Sequence, residues 1–140
     1  MREILFRGKR IDNEEWVYGD LVQSPAHLVV QIFEQDLCGD NFSVYPKSIG
    51  QYTGKTDKNG KNVFTDDIVT CGFDNLRGIV RFGEYSNPTA DDYHIGFYVE
   101  WEEEYRDNLR KDLGYWVMVE NFKVIGNIYD NPGLMRWTNE

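Results

Sequence analysis

The residues able to do chemistry are few and scattered. The chain has two histidines, His27 and His94, and two cysteines, Cys38 and Cys71. Hydrolysis by a Ser/His/Asp or Cys/His set needs an imidazole held beside its nucleophile. His27 follows Ser24-Pro25-Ala26 in a turn and His94 follows Asp91-Asp92-Tyr93 in a loop, so both read as solvent-facing imidazoles. Cys38-Gly39 and Cys71-Gly72 give no C-x-x-C pair and too few thiols for a four-cysteine metal site. Both cysteines read as small packing residues in the reduced state. Gly54-Lys55-Thr56 ends like a phosphate-binding loop, but the earlier glycine is missing and a turn follows where a helix should. The expectation is a non-enzymatic protein with no catalytic residue and no cofactor.

Carboxylates form the main concentration of charge. Seven acids and no Lys or Arg occur between Glu84 and Glu104. Hard cations take carboxylate oxygens, and zinc takes His with carboxylates. The fixed-glycine spacing of a calcium loop is absent, so the stretch reads as a solvated acidic face without a metal. Asp91, Asp92, Glu102, Glu103 and Glu104 are therefore candidate partner-binding residues, suited to a basic host protein. One exposed ion pair at ~4 Å gains only ~1 kcal/mol in water, so several must act together. Tyr52, in Gln51-Tyr52-Thr53-Gly54, joins them as a candidate stacking platform.

The whole chain supports that reading of charge. Its 140 residues carry 15 Lys and Arg against 24 Asp and Glu, a net charge of −9. A phosphate backbone repels such a chain unless its cations cluster, so direct nucleic-acid binding is disfavoured. Two nucleic-acid roles stand as the alternative: binding by a small barrel in the second half, or mimicry of phosphates by the acids of 84–112. They differ in sign, because only the first gives affinity for DNA. Four Trp, nine Tyr and eight Phe make the chain too aromatic to be disordered. It holds neither the apolar core of about 7–15 residues of a signal peptide nor the ~20 of a membrane helix. A cytoplasmic protein without a membrane partner is expected.

Strands must position these residues. Alternation and β-branched or aromatic content predict strands over 3–7, 16–22, 28–33, 42–45, 47–52, 68–71, 78–83, 95–101, 115–119 and 122–129. Asn59-Gly60 predicts a type I′ hairpin turn. The acids at 102–104, the bases Arg106, Arg110 and Lys111, and the i, i+4, i+8 spacing of Tyr105, Leu109 and Leu113 predict one short helix near 102–113. The loop at 84–93 is expected to be mobile. Short strands with many turns favour a mostly-β fold. Its expected form is a small, partly open barrel over 51–140, packed with an N-terminal β subdomain over 1–50. Asp67-Ile68-Val69, a loop, and Gly78-Ile79-Val80 resemble the opening hairpin of SH3-like barrels. Many short edges in turn favour a homo-oligomer.

Three motifs sharpen the reading. They are Ile4-Leu5-Phe6-Arg7, then Gln51-Tyr52-Thr53-Gly54 with Asp57-Lys58-Asn59-Gly60-Lys61 and Asp67-Ile68-Val69, and finally Val124-Ile125-Gly126-Asn127-Ile128-Tyr129-Asp130-Asn131-Pro132. In this order they resemble the YopX family over most of the chain. Asp66 stands where the family often has Gly, and Lys55 where it often has Leu. The resemblance implies a phage or prophage accessory protein in a bacterial, Gram-positive host. It brings no catalytic residues with it.

Overall fold

The computed structural model describes residues 3–24, 29–33, 41–71, 76–88, 92–102, 108–119 and 121–135. The chain divides into two compact units, Met1–Gly54 and Lys55–Glu140.

The first unit is an antiparallel sheet. Its strands are β1 (Phe6–Lys9), β2 (Trp16–Ser24), β3 (Val29–Phe33), β4 (Asn41–Ser43) and β5 (Gly50–Thr56), in the order β4-β3-β2-β1-β5. Side chains alternate between the faces of a strand. Along β2, Val17 and Gly19 are buried while Tyr18 and Asp20 are exposed. Val17, Ile32 and Val44 form the core of this unit, with Phe6, Leu21, Phe42 and Ile49 packed against it. Gly8 lies so close to Val44 that a Cβ there would stand 2.9 Å from its side chain. On the other face the Arg7 guanidinium lies 4.9 Å from the Trp16 ring centre.

The second unit is a four-stranded antiparallel sheet with the order β10-β7-β8-β9. Its strands are β7 (Asp67–Thr70), β8 (Arg77–Tyr85), β9 (His94–Trp101) and β10 (Lys123–Asn127), preceded by the short β6 (Asn62–Phe64). Both faces of this sheet are covered in its inner part. Val69, Val80 and Val99 join Val63, Trp101, Leu113, Trp116 and Phe122 in one cluster. Ile68 and Ile79 join Met135 in another. Burial on both faces explains why β7 reads as an unbroken buried run.

Turn chemistry holds the unit together. Asp57 is 6% exposed. Its Oδ1 accepts the Asn59 and Lys61 N–H groups at 2.9 Å each, and its Oδ2 accepts the Val124 N–H at 3.0 Å. One carboxylate thus closes the turn after β5 and pins β10 beside it. Asp67, 1% exposed, caps the next turn by accepting the Phe64 N–H at 2.8 Å. In the closing motif, Asn127 Oδ1 accepts the Asp130 N–H and Asn131 Oδ1 accepts the Asn127 N–H.

The fold is mostly β, as the sequence predicts, but both sheets are open and no barrel closes among the described residues. Four local expectations change. The turn at 57–61 is not type I′, because Gly60 (φ 80°) has a positive φ and Asn59 does not. Gly60 N–H donates to the Asp57 carbonyl, and Asp57 N–H donates to the Lys61 carbonyl. This is a three-residue loop ending on a left-handed glycine. The helix, α1, spans Leu113–Trp116, in place of the strand expected at 115–119. Residues 108–112 are not helical, and 103–107 lie outside the described residues. Two indoles account for this: Trp101 Nε1 and Trp116 Nε1 both donate to the Arg110 carbonyl, at 2.9 and 2.8 Å. That acceptor is spent on side chains, and Asp112 is extended and bridged to Tyr98. Finally, Glu84 and Tyr85 belong to β8, paired with Ile95 and His94, rather than to a loose loop.

Two substitutions test the turn. Asp57→Ala should lower stability by about 3 kcal/mol, since a hydrogen bond to a charged group contributes ~1.5–3 kcal/mol and the turn amides can recover water. Asp57→Asn should cost roughly half as much. Urea unfolding that shifts by less than ~0.5 kcal/mol for the alanine variant would remove the carboxylate from this role. A Cβ at Gly60 meets no atom within 4 Å, so the main cost of Gly60→Val is backbone strain, about 1–3 kcal/mol. Gly60→Asn should melt between the two, because Asn tolerates the left-handed region.

Candidate docking surface

β8 and β9 form the longest pairing in the second unit, from Gly78↔Trp101 to Tyr85↔His94. Cross-strand partners share a face. Val80↔Val99 is buried in the core, and the next pairs on that face are Phe82↔Phe97 and Glu84↔Ile95. Phe97 still packs against the core. Phe82 and Ile95 lie beyond it and are 56% and 77% exposed. The Phe82 and Phe97 rings meet edge to face with centres 4.9 Å apart. The face therefore continues the apolar core outward, onto residues that nothing in the described unit covers.

The opposite face carries polar and aromatic groups. Tyr85 stacks on Tyr98 at 5.2 Å and lies 5.5 Å from His94. The Gly83↔Gly96 pair between them has no side chains, which lets the two tyrosines lean together; the Tyr98 ring passes 3.9 Å from where a Gly83 Cβ would be. Burial, with the Glu100 charge beside it, pushes the Tyr98 phenol up, and Arg81 partly opposes this. Burial and Asp112 do the same to Tyr85, opposed by Arg110. Both phenols stay neutral donors. Arg81 donates to Asp66 Oδ1 at 3.0 Å and to Glu100 Oε1 at 3.1 Å. Beside β9, Arg110 holds Asp112 through two hydrogen bonds, at 3.1 and 2.9 Å. Burial pushes the Asp112 carboxyl up, but the Arg110 bonds and charge outweigh it and leave the group below its ordinary value. Asn87 Oδ1 accepts the Lys111 N–H at 2.7 Å, and Lys111 O accepts the Val99 N–H.

The sequence-predicted site residues are not brought together. Tyr52, in β5 of the first unit, is 8% exposed. Glu102 is 7% exposed, and its N–H donates to the Arg77 carbonyl. Asp92 is exposed and lies 3.4 Å from His94 Nε2. Asp91, Glu103 and Glu104, with His27 and Cys38, lie outside the described residues. Cys71 is 2% exposed within the core. Among the described residues no group of three His, Cys, Asp or Glu could hold a metal ion. No helix among them is long and apolar enough to cross a membrane.

Sequence reading missed Phe82 and Ile95 as surface groups. The available signal was the alternation of Val80, Phe82 and Glu84 against Ile95, Phe97 and Val99, which continues through the Gly83↔Gly96 pair.

The described residues of all three motifs occupy structural positions. The opening motif leads into β1, the central one supplies β5 and the capped turns, and the closing one builds β10 and the turn after it. A comparison with curated proteins finds no match. The YopX protein family matches from residue 5 to residue 136, and the chain belongs to that family.

Proposed function

We propose that this chain is a non-enzymatic phage or prophage accessory protein of the bacterial cytoplasm that assembles with itself and binds a basic host protein. The observation that carries the reading is the outer end of the β8–β9 face, where Phe82 and Ile95 stand exposed beside each other. Grouped apolar exposure on a small domain marks a contact surface far more often than scattered single residues do. The first unit adds Tyr18 and Val22, 45% and 40% exposed on one face of β2, as material for self-contact. Outermost strands such as β4 and β10 add backbone that subunit pairing can use. The burial of Cys71 in the core, which shields its thiol, fits a non-catalytic role.

Light scattering should give a mass of at least twice 16.5 kDa at micromolar concentration. The monomer mass across a wide concentration range overturns self-assembly. Immobilised protein should retain a basic protein from host lysate, and the Phe82→Ser/Ile95→Ser variant should lose it. Equal capture by the variant places the contact elsewhere and overturns the assignment to this face.

A further inference from the structure

We infer that the exposed β8–β9 face receives a basic amphipathic segment of another protein and is not the contact by which copies of this chain associate. This rests on the binding reading above and names the chemistry of its occupant. The face has two rows beyond the core, Phe82 with Phe97 and then Glu84 with Ile95. Rows on one strand face repeat every two residues, about 7 Å. An occupant therefore lays an apolar side chain across Phe82 and Ile95 and places a lysine or arginine beside it, against Glu84 in the same row as Ile95.

Charge selects this occupant over a second copy. Glu84 is directly cross-strand from Ile95, so any contact that dries Ile95 draws the Glu84 carboxylate with it. Among the described residues Glu84 forms no ion pair. Arg81 lies on the opposite face and is already held between Asp66 and Glu100. A two-fold contact sets the same patch against itself. It would face Glu84 with an equally acidic copy, within a segment of seven acids and no Lys or Arg, in a chain of net charge −9. A basic partner meets the same carboxylate with an opposite charge and also gains steered encounter.

The test uses the full chain and fluorescein-labelled peptides in fluorescence anisotropy. The probes are a Leu/Lys peptide that repeats Leu-Thr-Lys-Thr, so that Leu and Lys share one face of an extended chain, its Ser/Lys counterpart and its Leu/Glu counterpart. The Leu/Lys peptide should bind, and tenfold or more weaker at high salt than at low. Ser/Lys and Leu/Glu should bind at least tenfold more weakly than Leu/Lys. Phe82→Ser/Ile95→Ser and, separately, Glu84→Lys should each lower Leu/Lys affinity at least tenfold. Glu84→Gln should fall between Glu84→Lys and the native chain. Circular dichroism and melting of each variant establish that it is folded. Leu/Lys affinity that survives these substitutions in folded protein overturns the inference, as does equal binding of Leu/Glu. So does a drop to monomer mass in Phe82→Ser/Ile95→Ser, which would make the face the self-contact. If lysate capture depends on Phe82 and Ile95 but the retained protein is acidic, this inference falls while the binding reading stands. If the native chain captures nothing, the reading itself falls.

Discussion

The second unit depends on one buried carboxylate. Asp57 takes three backbone N–H groups, two from its own turn and one from Val124, 67 residues later. A backbone amide out of water without an acceptor is costly, and a charged acceptor is the strongest available. β10 is joined to β7 by a ladder that a bulge interrupts between Val124 and Gly126. The Asp57 bond falls at that irregularity. Lys58 adds a backbone bond to the Phe122 carbonyl and a side-chain bond to Asn121. The edge strand is thus fixed at its start by a turn that is distant in sequence.

The residues that identify the family are mostly of this kind. Asp57, Asp67, Asn127 and Asn131 all satisfy backbone groups at turns. Asp66 fits the same account. Its φ is 73°, a left-handed value that glycine takes freely, so the glycine that the family resemblance leads one to expect there suits the same turn. This chain uses an aspartate, which tolerates the conformation and gains Arg81 as an ion-pair partner. Such a signature encodes a backbone path. It leaves binding chemistry to residues outside the motifs, where the proposed contact residues Phe82, Glu84 and Ile95 are found.

The strands were legible where period and neighbours agreed. β2 alternates between buried and exposed from Val17 to Asp20 because one face is buried, and β7 is buried at all four positions because both faces are. Tyr115 to Val119 misled because aromatic and β-branched residues favour strands in general, whereas here Trp116 turns inward to meet the Trp101 ring and the Arg110 carbonyl. The candidate site was legible only as charge. Glu102 reads as one of three equivalent acids, yet it follows the last strand residue and is buried, a distinction that composition cannot express. Exposure of Phe82 depended on how far the β8–β9 pairing runs beyond the core, and that register is tertiary.

The reach of the Asp57 bond has a consequence for synthesis. A chain is made from its N-terminus at about 5–20 residues per second, so the Val124 amide follows the Asp57 carboxylate by roughly 3–13 s. Throughout that interval the carboxylate can close its own turn but cannot anchor the sheet edge. β7 and β8 can meet early, while the flank that β10 will cover stays open on the nascent chain. A truncation before residue 124 would freeze the chain in that state, with an uncovered strand available to neighbouring polypeptides.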